Sequence, residues 1–159
     1  SAIQYRRSDF IDNVLEIIRR YGVNPEEIEL EITESVLIDN FREITEKMLI
    51  LREYGIRISL DDFGTGYSSL SYLKGLPIDT LKIDKSFIDA MLTDQNARII
   101  TDSIIYMVKK LGYETVAEGV ETKEQFAYLQ SIGCDCIQGY LLGKPLPAEE
   151  IENLLEAAG

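Results

Sequence analysis

Hydrophobic positions along this chain change their period repeatedly, and each change predicts an element. Phe10, Val14, Ile17, Ile18 and Tyr21 recur at helical spacing behind Ser8-Asp9 and stop at Gly22, a natural left-handed cap, which predicts a helix over residues 8–21. Pro25 opens a short turn, and Ile28-Glu29-Leu30-Glu31-Ile32 then alternates apolar and polar like a strand. A second helix starts at Asp39-Asn40, carries Phe41, Ile44, Met48 and Leu51 and closes at Gly55, with Arg57-Ile58-Ser59-Leu60 following directly as a strand. The same punctuation recurs at Leu111-Gly112 and Ile132-Gly133, which lead into the strands Thr115-Val116-Ala117 and Cys136-Ile137.

Helix–glycine–strand junctions repeated in this way predict αβ units, and right-handed crossovers then give a parallel sheet, either doubly wound or closed as a barrel. Chemistry-bearing residues end every strand instead of clustering at one switch point, which favours the (β/α) barrel. A complete barrel takes eight strands and usually ~250 residues, whereas these 159 residues supply five strands. The expected fold is α/β: an incomplete (β/α) TIM-type barrel. No linker, low-complexity tract or repeat marks a second domain.

Composition narrows the chemistry. With 45% hydrophobic and 28% charged residues the chain can build one real core. Its 16 basic and 28 acidic residues give a net charge of -12, which argues against duplex nucleic acid or an anionic membrane as a partner. Histidine is absent, which removes Ser-His-Asp and Cys-His catalysts and imidazole metal sites and leaves oxygen ligands and lysine. Cys134 and Cys136, spaced for one face of a strand, are expected to be buried reduced thiols in a cytoplasmic protein, since neighbours at that spacing rarely form a disulfide. No apolar run approaches the ~20 residues of a membrane span and no signal peptide opens the chain, so any membrane anchor of a longer parent is expected to lie outside it.

Five tripeptides at strand ends carry the candidate chemistry: Glu31-Ile32-Thr33, Leu60-Asp61-Asp62, Leu81-Lys82-Ile83, Ala117-Glu118-Gly119 and Ile137-Gln138-Gly139. Barrel strand ends share one rim, and acids converging there repel one another unless metal ions or protons offset them. Adjacent Asp61 and Asp62 can reach two neighbouring cations of the kind that clamp a phosphodiester; the alternative is an aspartate turn with glycines. Glu31 points into the rim, whereas Glu34 reads equally as part of a capping box. Lys82 and Asp84 project to one side, as a structural ion pair or with the lysine orienting water or neutralising phosphate. Glu118 is the better base candidate, Glu121 also suits a helix N-terminus, and Gln138 also suits packing and hydrogen bonding alone.

Taken together, Glu31-Ile32-Thr33-Glu34-Ser35, Asp61-Asp62-Phe63-Gly64-Thr65-Gly66-Tyr67-Ser68-Ser69-Leu70, Leu81-Lys82-Ile83-Asp84, Ala117-Glu118-Gly119-Val120-Glu121 and Gln138-Gly139-Tyr140 closely resemble the EAL-domain family, in its order and spacing. The resemblance implies a barrel with one antiparallel strand, a site for two Mg²⁺ or Mn²⁺ ions, and hydrolysis of cyclic di-GMP to linear pGpG in bacterial signalling. By position, Glu31 resembles a ligand of the first metal, Asp61 the bridge between metals and Asp62 the ligand of the second. Lys82 would hold the nucleophilic water, Glu118 would act as base or metal-water ligand, and Gln138 with Gly139 would bind substrate or water. Glu34, Glu121 and Asp84 would support the loops behind them.

The family's Glu-Ala-Leu strand and a further asparagine ligand precede the stretch that resembles it here, so residues 1–159 are expected to be a partial EAL domain. Alone, such a piece is expected to be inactive and to associate with itself or with the N-terminal part of the domain. Every family position present carries the competent residue, which favours a phosphodiesterase over the alternatives, a non-catalytic EAL-type receptor or interaction module and a bare metal-binding scaffold.

Overall fold

The computed structural model describes residues 2–5, 7–64 and 70–158. Helices α1 (Ala2–Tyr5) and α2 (Phe10–Tyr21) lead through a 3₁₀ turn (Pro25–Glu27) into strand β1 (Glu29–Thr33), and helices α3 (Glu34–Asp39) and α4 (Phe41–Glu53) then lead into β2 (Arg57–Phe63). Helix α5 (Leu70–Leu73), β3 (Thr80–Ile83), α6 (Lys85–Ala90), α7 (Gln95–Lys110), β4 (Glu114–Glu118), α8 (Lys123–Ser131), β5 (Cys136–Gln138) and α9 (Ala148–Ala158) follow. The strands form one sheet in the order β1-β2-β3-β4-β5, and every neighbouring pair is parallel. A doubly wound sheet reverses its order at a switch point, so this monotonic order is that of a barrel wall.

Strand alternation sorts the side chains into two faces. Ile32, Ile58, Leu60, Leu81, Ile83 and Ala117 are buried, and with Ile44, Met48 and Leu51 of α4, Ile88 of α6 and Ile105 and Val108 of α7 they form one continuous core. Each such aliphatic side chain contributes ~1.5–3 kcal/mol by leaving water. The intervening positions are polar apart from Val116: Arg57 bonds Thr80 and Glu114 near the strand starts, while Glu31, Asp61, Lys82, Glu118 and Gln138 lie toward the strand ends.

Helix limits follow the glycines, with α2 ending at a left-handed Gly22. The expected start of that helix at residue 8 moves to Phe10, because Asp9 has a non-helical backbone and binds Arg7. The cysteines correct an expectation. Both are free, but Cys136 is exposed and Cys134 only half-buried, because β5 is the last strand of the sheet among the described residues and Cys134 precedes it. Helix α9 presents Ile151, Leu154 and Leu155 to solvent. Among the described residues no helix is long and apolar enough to cross a membrane.

Candidate active site at the strand ends

Parallel pairing sets the strand ends side by side: Thr33 opposes Asp61, Lys82 opposes Val116 and Glu118 opposes Gln138. Consecutive strand residues normally point to opposite faces, which would separate Asp61 from Asp62. Here the pairing of β2 with β3 shifts register between Leu60 and Phe63, and Asp62 has φ 56°. Aspartate tolerates that left-handed backbone better than bulkier residues, and the Asp61 carboxylate accepts the Asp62 N–H at 3.0 Å. Carboxylate oxygens of Asp61, Asp62 and Glu118 consequently lie within 4.8 Å of one another.

Lys82 enters this cluster from β3. Its Nζ is 2.7 Å from Glu31 Oε1, 2.7 Å from Glu118 Oε1 and 3.3 Å from Asp61 Oδ1. The lysine side chain is only 9% exposed, whereas Glu31 is 55% exposed and is not one of the three mutually close carboxylates. Burial alone would lower the Lys82 pKa, but its bonds to Glu118 and Glu31 outweigh that and raise it, so the ammonium stays charged. Glu118 shifts upward, chiefly because burial disfavours its charge, against the pull of Lys82. Asp62 also shifts upward, through burial and then the charges of Asp61 and Asp84. An all-oxygen donor set in which Glu118 and Asp62 are shifted upward fits a hard divalent cation, which would offset the crowded negative charge.

Supporting contacts surround the cluster. Glu34, 2% exposed, accepts the Gly64 N–H at 3.0 Å and the Tyr72 hydroxyl at 2.6 Å, tying the end of β2 to the start of α3 and to α5. Asp84 caps α6 through the Ser86 N–H, and the ion pairs of Lys82 run to Glu31, Asp61 and Glu118. Asp84 directly follows β3, which ends at Ile83, and its charge acts on Asp62 of the cluster. Glu121 pairs with Lys85 at 2.7 Å. Gln138 and Gly139 line a cavity of about 230 Å³ with Lys85, Gly119, Glu121 and Tyr140. Gly139 is required there, since a Cβ would fall 2.8 Å from the Val120 carbonyl carbon. The Gly-Thr-Gly turn and the segment to Ser69 lie outside the described residues.

Sequence reasoning missed Tyr72, Lys85 and Gln125. The Gln125 side chain completes a capping box with Thr122, and the Thr-x-x-Gln spacing was the signal for it. The contacts of Tyr72 and Lys85 come from tertiary structure and left no local mark.

A family model for the EAL domain matches residues 1–145. The cyclic di-GMP phosphodiesterase NbdA of Pseudomonas aeruginosa is 43% identical over 151 residues, which is 95% of this chain and 19% of NbdA. The structure of the phosphodiesterase PaMucR in its c-di-GMP complex is 40% identical with a TM-score of 0.91, covering 95% of this chain and 61% of that one. The manganese and cyclic di-GMP complex of BlrP1 from Klebsiella pneumoniae is 32% identical with a TM-score of 0.79, covering 87% of this chain and 35% of that one. The chain spans 19–20% of the length of the first curated relatives it matches. These likenesses identify the five strands as part of a TIM-type (β/α) barrel.

Proposed function

The chain belongs to the EAL-domain family, and on that premise we propose that it is part of a metal-dependent phosphodiesterase domain that hydrolyses cyclic di-GMP to linear pGpG in the bacterial cytoplasm. The observation that carries this reading is the convergence of Asp61, Asp62 and Glu118 beside Lys82 at the strand ends. Glu31, Asp61, Asp62 and Glu118 would hold two Mg²⁺ or Mn²⁺ ions. When bound, such ions neutralise phosphate charge and make a water acidic enough to lose its proton near neutral pH.

The chain's own residues divide the remaining work. Lys82 holds the attacking water in place and faces the phosphate charge that builds during attack. Glu118 accepts the proton, a role favoured by its raised proton affinity. Gln138 donates a hydrogen bond to the water or substrate, and Glu34 holds the end of β2 so that both aspartates keep their aim. Glu121 and Asp84 support the turns behind Glu118 and Lys82. We assign residues 1–159 to a partial EAL domain whose remaining strands complete the barrel; five strands and 61% coverage of PaMucR support this. Duplex nucleic acid and membrane surfaces do not suit a chain of net charge -12.

Asp61→Asn and Glu118→Gln in the complete domain are expected to abolish pGpG formation, followed by chromatography, while far- and near-UV circular dichroism stay unchanged. Ca²⁺, with longer bonds and looser geometry, should support nucleotide binding without turnover. Turnover within threefold of wild type in either variant, or equal rates in Ca²⁺ and Mn²⁺, would reject the assignment. Nucleotide binding without turnover under Mn²⁺ in the wild type would instead identify a receptor.

A further inference from the structure

We propose that Lys85 is a positioning residue that sets the aim of Glu118 by pinning the turn that follows it. Lys85 opens α6, three residues beyond Lys82, and its Nζ reaches across to Glu121 at 2.7 Å while also touching Asp89 at 3.1 Å. Its methylene stem lies on the backbone of Gly119, the residue next to Glu118. Gly119 has φ 70°, and a Cβ there would sit 2.7 Å from Lys85 Cδ. One lysine therefore packs on the first residue of the turn and binds the carboxylate of its last.

The same turn is held from two other sides. Gln125 Oε1 accepts the N–H groups of Glu121 and Thr122, at 2.8 and 3.0 Å, while its Nε2 donates to the Ile88 carbonyl of α6 at 3.3 Å. Buried Val120 donates to the Gln138 carbonyl and accepts from Leu141 N–H, both at 3.0 Å. Lys85 and Gln125 thus staple the Glu118 turn to the helix that begins just after Lys82. An ion pair with both partners nearly half exposed adds little to stability, so its consequence is geometric. It also sorts the acids: Glu118 is bound by Lys82 and Glu121 by Lys85.

Two roles for Lys85 predict opposite signs. If it acts only as a distant positive charge, its removal strengthens cation binding at the neighbouring acids. If it positions Glu118, removal weakens that binding, since loss of a residue supporting a ligand typically costs ~10–100-fold in metal affinity. The test is Mn²⁺ titration followed by electron paramagnetic resonance, with no nucleotide present, on the full-length protein carrying this chain. Lys85→Met keeps the stem and is expected to weaken Mn²⁺ binding about tenfold. Lys85→Met/Glu121→Gln leaves the net charge unchanged and should show the same loss, and Lys85→Arg should recover most of it.

The activity arm rests on the phosphodiesterase reading: kcat should fall about tenfold while KM for cyclic di-GMP stays within twofold. The Mn²⁺ arm does not need that reading, so a wild type without hydrolysis rejects the activity and leaves this inference to be decided by metal binding. Tighter or unchanged Mn²⁺ binding in Lys85→Met overturns the proposal, as does a raised KM with unchanged kcat, which would make Lys85 a substrate contact. Should Lys85→Met not fold, the charge-neutral double variant decides: wild-type Mn²⁺ affinity there overturns the proposal, and a tenfold loss supports it.

Discussion

Replacing Lys82 by methionine removes a cation that lies within 3.3 Å of Glu31, Asp61 and Glu118 while nearly conserving side-chain volume. Breaking a buried ion pair from one side typically costs ~3–5 kcal/mol because the partner's charge is left uncompensated. The low end applies here: Glu31 is more than half exposed and its pair is discounted for solvent screening, and burial already disfavours the charge of Glu118. A loss of ~3 kcal/mol lowers the melting temperature of a domain this size by ~6–12 °C. Mn²⁺ at a hundred times its dissociation constant stabilises the folded state by ~2.7 kcal/mol. It should bind the variant more tightly than wild type, because the acids there have lost their built-in counter-charge. Both proteins gain from the ion, so only the difference in affinity changes the gap, and calorimetry of the complete domain is expected to show the gap in melting temperature narrowing on adding Mn²⁺. Turnover should stay down by at least ~10²-fold, since the phosphate stabilisation proposed for this lysine is separate from its part in stability. A gap of equal size with and without Mn²⁺ would refute the view that Lys82 and divalent cations compensate the same carboxylates.

Glu34→Ala removes the acceptor of the Gly64 N–H and the Tyr72 hydroxyl; urea unfolding should show a loss of ~3 kcal/mol, and kcat should fall ~10²-fold as the aspartate-bearing end of β2 drifts. Asp135 gives a pH test. Burial works to raise its carboxyl, but bonds from Lys109 and Thr115 outweigh burial and hold it below the usual range. A lowered carboxyl contributes stability that is present above the unfolded value near 3.9 and is lost as pH falls through the folded value. The melting-temperature gap between wild type and Asp135→Asn should accordingly shrink from pH 7 to pH 3, and a constant gap would contradict the assignment. The 159-residue chain alone should self-associate in light scattering and lack full activity, because β1 and β5 leave unpaired edges among the described residues; a monodisperse, fully active monomer would overturn the partial-barrel proposal.

Much of this arrangement was legible in the sequence, because strand ends and helix ends are written locally. Gly22, Gly55, Gly112 and Gly133 all adopt the positive φ that helix-stop spacing implied. Glu31, Asp61, Lys82, Glu118 and Gln138 were marked by lying where an apolar strand runs out, and parallel pairing brings them along one rim. What could not be read depends on partners distant in sequence or on broken periodicity. The register shift at Asp62 is invisible to a rule of strict alternation. Cys136 was misjudged because burial of a strand residue depends on whether another strand lies beside it, a property of the sheet and not of the segment.

The lysine in the acid cluster also explains how such a site keeps its shape before any cation arrives. Three carboxylates within 4.8 Å would drive β2 and β4 apart or take up protons. β3 lies between those strands, and its Lys82 bridges Asp61 of one and Glu118 of the other with an ammonium whose raised pKa keeps it charged at neutral pH. The spacing of these strands is thus held in the folded chain by a protein cation, whose counter-charge metal ions would take over in part. The register of β3 is then as decisive for function as any ligand: a shift of one residue would turn Lys82 toward the helices and place Leu81 or Ile83 among the acids.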